Sequence, residues 1–145
     1  MRKGLLSAIL MIAAIMLGVL AAAQEKSNNN ALAGTWQAVE AELGGKPLPP
    51  DVVRSIKLIL SVHEYQVGND FGTVEIDPNA MPSAMIIKGT KGPNEGKTML
   101  AIYELSGDTL RICYDLTGLK RPTVFATEGG TRQFLVRYKR ENNKQ

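Results

Sequence analysis

Turn-forming residues recur at short intervals along this chain, and no other feature limits its fold so tightly. They stand at Gly44-Gly45, Pro47, Pro49-Pro50, Gly68-Asn69-Asp70, Asp77-Pro78, Gly89, Gly92-Pro93, Gly96, Ser106-Gly107-Asp108, Gly118, Arg121-Pro122 and Gly129-Gly130. The runs between them are short and rich in Val, Ile, Thr and aromatic residues, the composition of strands. The pattern predicts eight strands, at about 34–43, 55–61, 63–68, 71–77, 84–88, 98–105, 109–116 and 131–139. Alternation is sharpest in Phe134-Leu135-Val136-Arg137-Tyr138-Lys139, where Phe134, Val136 and Tyr138 share one face and Arg137 and Lys139 take the other. Thr98–Leu105 and Thr109–Leu116 around Ser106-Gly107-Asp108 read as a hairpin. Pro49–Arg54 suits one helical turn, with Pro50 in the first turn and Asp51 at the positive end, and a second short turn covers Pro78–Ser83.

Eight strands joined by tight turns make an antiparallel meander. Left flat, it would expose two edges and an apolar face. Closure into an up-and-down barrel removes both and leaves an interior wide enough for side chains or one small ligand. A two-sheet sandwich needs longer crossing connections than the chain offers. The expected fold class is therefore all-β, an eight-stranded antiparallel up-and-down barrel.

The first 23 residues differ from the rest. Arg2 and Lys3 precede an apolar run from Leu5 to Leu20, and Ala21-Ala22-Ala23 then leads to Gln24. A basic start, an apolar centre and small residues at the end form the layout of a secretory signal, expected as an N-terminal signal helix cut after Ala23. The other reading is an uncleaved anchor, since the run approaches the length that spans a bilayer. Domain boundaries follow: a signal peptide at 1–23, a flexible leader at 24–31 containing Asn28-Asn29-Asn30, a barrel domain at 32–141 and a tail at 142–145. The protein is expected outside the cytoplasm, secreted or periplasmic, with membrane association only if the signal stays in place.

Charge and metal chemistry exclude several classes. The chain of 145 residues carries 17 Lys+Arg against 14 Asp+Glu, and loss of Arg2 and Lys3 brings the balance close to neutral. The charges are interspersed, so nucleic acid is not an expected partner. One Cys and one His leave no disulfide framework and no multi-Cys or paired-His metal site. No metal and no cofactor are expected. Gly92-Pro-Asn-Glu-Gly96-Lys97-Thr98 departs from a phosphate-binding loop, having three residues between the glycines and a strand after it. His63 and Glu64 are sequence neighbours on a strand and point apart. With no nucleophile–base or paired-carboxylate constellation, no catalytic residue is named and an enzyme is not expected.

Leu32-Ala-Gly-Thr-Trp36 looks like the Gly-x-Trp signature that opens the first strand of lipocalins. Further matching stretches are Gly45-Lys-Pro-Leu-Pro49, Ile76-Asp-Pro78 with Pro82, Ala101-Ile-Tyr-Glu-Leu-Ser-Gly-Asp-Thr-Leu-Arg-Ile-Cys-Tyr114, Arg121-Pro122 with Phe125, and Lys139-Arg140. Together they resemble an uncharacterised lipocalin-like family of secreted planctomycete proteins. The resemblance implies an extracytoplasmic lipocalin-like barrel in which Gly34 and Trp36 close the bottom, with Arg137 or Arg140 packed on the indole. It brings no ligand and no catalytic residue.

Tyr65, Met85, Met99, Tyr103 and Tyr114 are the candidate cavity or rim residues, apolar bodies with a few polar tips. Arg121, held by Pro122, either faces a bound anion at the rim or pairs with Asp115 or Asp108. Asp108 is expected to hold a turn and Cys113 to fill core as an inert thiol. Two functions remain open: binding of a small, largely apolar ligand, or an interaction or inhibitor module that presents loops such as Gly89–Lys97 to an extracytoplasmic protein. A cavity of about 300 Å³ or more lined by Tyr and Met favours the first; a packed interior favours the second. A monomer is expected in either case.

Overall fold

The computed structural model describes residues 31–142, with Gly18 and Val19 besides. The expected signal peptide, leader and tail otherwise lie outside the described residues. The elements are β1 (Gly34–Leu43), β2 (Lys46–Pro47), α1 (Pro50–Ser55), β3 (Lys57–Leu60), β4 (Glu64–Val67), β5 (Asp70–Asp77), β6 (Ala84–Lys91), β7 (Thr98–Ser106), β8 (Thr109–Asp115) and β9 (Gln133–Arg140). Strands β3 to β9 pair antiparallel in sequence order, β1 pairs with β3, and β9 returns to β1. The result is a closed, all-antiparallel barrel of eight strands, with the two-residue β2 as a short return on the end of β1.

Register explains which side chains reach the interior. Leu58 and Leu60 alternate with exposed Lys57 and Ile59 along β3, and Val136 and Tyr138 alternate with half-buried Leu135 and Arg137 along β9. In β1 the alternation breaks: Trp36 and Ala38 are buried, then Ala41. A bulge between Ala38 and Glu40 inserts Val39 and shifts the inward set by one. Each large aliphatic side chain turned inward stabilises the fold by about 1.5–3 kcal/mol relative to exposure.

The two ends of the barrel differ. At one end the first residues of β5, β7 and β9 meet the last of β4, β6 and β8. The opposite end holds Trp36, whose register partner is Arg140. Leu32 lies beneath the indole and is fully buried.

Residues 116–132, between β8 and β9, form a strap where the expected strands leave a loop at about 117–130. Its ends are side by side, since Asp115 and Gln133 are register partners. The intervening chain is therefore free to run across the outside of the sheet. There Pro122 is buried, Phe125 takes the Arg111 guanidinium at 4.1 Å from its ring centre, and Gly45 N–H donates to Thr127 Oγ1 at 2.8 Å. Ala84, Ile102 and Cys113, cross-strand neighbours on the outer face, are buried on this side of the barrel. Asp115 anchors the start of the strap, accepting hydrogen bonds from Thr117 Oγ1 at 2.7 Å, Leu119 N–H at 3.0 Å and Lys120 N–H at 2.8 Å.

Candidate functional site

The closed end is built from the Gly-Thr-Trp segment. Trp36 Nε1–H donates to Leu32 O at 2.9 Å, which folds residues 31–33 under the barrel. The Arg140 guanidinium lies 4.1 Å from the indole ring centre and donates to Ala33 O and Ala31 O, each at 2.7 Å. Gly34 makes room for it: at φ +144° this position disfavours any side chain, and a Cβ there would sit 2.7 Å from Arg140 Nη1. Of the two arginines implied by the resemblance, Arg140 covers the tryptophan. Arg137 lies outside and pairs with Glu40. Asp108 meets Arg140 Nε at 3.5 Å, so it braces this end as well as its turn.

Above this floor lies a cavity of about 300 Å³. Its walls are aliphatic, with Leu58 and Leu60 from β3, Val74 from β5, Met85 and Ile87 from β6 and Met99 from β7. Tyr65, Tyr114, Phe134 and Tyr138 add aromatic surface. Tyr114 and Phe134 stack with ring centres 5.8 Å apart. The Tyr114 and Tyr138 hydroxyls are 3.2 Å apart, one donating to the other. Burial pushes both phenols up, Tyr138 to about 12. Tyr65 is raised too, first by burial and then by donating to Asp70 Oδ2 at 3.0 Å.

Polar side chains collect at the end away from Trp36. Asp70 is buried and accepts from Tyr65 Oη, from Asn94 N–H at 3.1 Å and from Asn94 Nδ2 at 2.7 Å. These bonds hold the 92–97 loop against the barrel. Gly89 permits the approach, since a Cβ there would lie 1.9 Å from Asn94 O. Lys97 and Arg132 also line this part of the cavity. Each continues the inward alternation of its strand by one step, Lys97 before Met99 and Arg132 before Phe134.

The structure therefore brings Tyr65, Met85, Met99 and Tyr114 to one cavity and leaves two other candidates elsewhere. Tyr103 faces the floor, where it lines a separate hollow with Leu32 and Met81; burial raises its phenol as well. Arg121 is not on the cavity wall. Its Nη1 donates to Met85 O at 2.9 Å and Ala101 O at 2.8 Å, in place of the expected pairing with Asp115 or Asp108. The physical reason is the strap, which carries Arg121 and Pro122 onto the outer side of the sheet. Cys113 is buried, but beneath that strap, with Sγ 3.5 Å from Ala126 O, and burial raises its thiol pKa. His63 and Glu64 are both exposed and apart from the cavity.

Asp70, Asn94, Lys97 and Arg132 are additions to the candidate set. Extending the period-two pattern of Phe134-Val136-Tyr138 back to Arg132, and that of Met99-Ala101-Tyr103 back to Lys97, gives the signal for the two cations. Asp70 and Asn94 carry no such signal, because their placement depends on a loop fold. Comparison with known proteins adds no relative: no family model, no curated protein and no solved structure matches the chain.

Proposed function

We propose that this protein is an extracytoplasmic, lipocalin-like barrel that binds one small, largely apolar molecule in the cavity between Trp36 and the Lys97–Arg132 end. The observation that carries the reading is the cavity itself. An interior of about 300 Å³ is at the lower bound of ligand pockets. Its walls combine aliphatic side chains with a few hydroxyls, the composition that holds an apolar body and orients it. The signal-like layout of residues 1–23 supports export.

An interaction module without a ligand would be served best by a filled interior, so the cavity weighs against it. Native mass spectrometry of protein recovered from its source tests the choice. The expected result is a small-molecule adduct at one per chain, lost when Ile87→Phe narrows the cavity. Recovery of the bare chain alone, together with no uptake of added apolar probes, would count against the proposal.

A further inference from the structure

Resting on that reading, we infer that the ligand is an anionic amphiphile, with an aliphatic tail among the walls and a carboxylate or phosphate held by Lys97 and Arg132. Three observations converge. First, both cations line the cavity and neither has a carboxylate within salt-bridge distance among the described residues. Lys97 Nζ spends one hydrogen on Pro93 O at 3.0 Å and keeps two. The Arg132 fork suits an oxyanion with two accepting oxygens.

Second, the one carboxylate in the lining offsets only one of the two positive charges. Asp70 has its oxygens engaged by Tyr65 and Asn94, so two cations face one already bonded anion. Third, the interior offers a donor without an acceptor. In the Tyr114–Tyr138 pair one hydroxyl proton joins the two oxygens, and the other proton has no acceptor among the described residues. Free donors and cations select a ligand that is rich in acceptors and negatively charged.

Size narrows the tail. A cavity of about 300 Å³ is at the small end of ligand pockets, which suits a medium-length chain better than a long one. The walls bring aliphatic and aromatic surface, and the single carboxylate of the lining is outnumbered by its two cations, which disfavours a cationic headgroup.

Calorimetric titration of the full chain with decanoate, decyl phosphate, decanol and decyltrimethylammonium separates the terms. An anionic probe is expected to bind about tenfold or more tightly than decanol at low salt, the scale of a charge-assisted hydrogen bond. The preference, read as the ratio of anion to decanol affinity in the same protein, should shrink toward unity in Lys97→Gln/Arg132→Gln. Both side chains are exposed, so the substitutions leave the core intact. Raised salt on the unaltered protein gives an independent check, weakening the anions and sparing the alcohol. The stronger of decanoate and decyl phosphate names the headgroup. Equal binding of acid and alcohol, or preference for the cation, overturns the inference and leaves the apolar-ligand reading standing. No binding of any probe overturns both.

Discussion

Tyrosine ionisation reports on the interior one side chain at a time. All four tyrosines in the chain, at 65, 103, 114 and 138, are raised above their ordinary value, with burial the first cause in each. The unfolded chain loses these protons near pH 10 and the folded chain only above it. The stabilisation is therefore complete below pH 10 and drains away as the pH climbs toward about 12, where Tyr138 ionises. Tyrosinate absorbance at pH 10 should be well below that of the denatured chain, which reaches about half its maximum there; equal curves would contradict the burial described. At the floor, Arg140→Leu removes the indole contact and leaves Ala31 O and Ala33 O without their donor. A loss of about 2 kcal/mol in chemical denaturation is expected. Arg140→Lys should recover only part, having no planar fork. Gly34→Ala should cost a similar amount through its backbone and the crowded guanidinium. The Gly-Thr-Trp segment announced this floor in the sequence. Which arginine would cover it depended on facing, and Arg137 falls on the outward side.

At the scale of elements, the strand pattern was readable because alternation and turn chemistry agree. Expected strands at 34–43 and 98–105 differ from β1 and β7 by at most one residue, and the Pro49–Arg54 turn became α1. The strap was not readable. Residues 116–132 carry no periodicity, and what fixes them is a set of distant partners: Cys113, Arg111, Glu42 and two carbonyls of the β6–β7 ladder. The surroundings of Arg121, which the strap carries, and of Cys113, which it covers, are consequently hidden in the sequence. Asp115 is the test of this element. Burial raises its pKa, but bonds from Lys120, Thr117 and Leu119 outweigh that and lower it below the usual carboxylate value. The unfolded chain then takes up a proton before the folded one. The contribution is thus full above about pH 4 and is lost as the pH falls below that. Asp115→Ala leaves several donors unpaired and should cost about 1–3 kcal/mol. It should also speed thiol labelling of Cys113 by loosening its cover. Unchanged labelling would mean that the strap is held by other contacts.

For the molecule as a whole, one asymmetry organises the account: a barrel plugged by Trp36 and Arg140 at one end, with a cavity reaching Lys97 and Arg132 toward the other. Closure followed from the sequence, since eight short strands have few other ways to hide their edges. The cavity did not, because whether a barrel is filled depends on packing that composition leaves open. Six methionines allow a direct reading of it. Met85 and Met99 line the cavity, and Met81 is almost wholly exposed near the floor. With the methionine methyl groups labelled for nuclear magnetic resonance, decanoate should shift Met85 and Met99 in a saturable way and leave Met81 still. Shifts at Met81 with Met85 and Met99 unmoved, or none anywhere, would contradict an interior binding site.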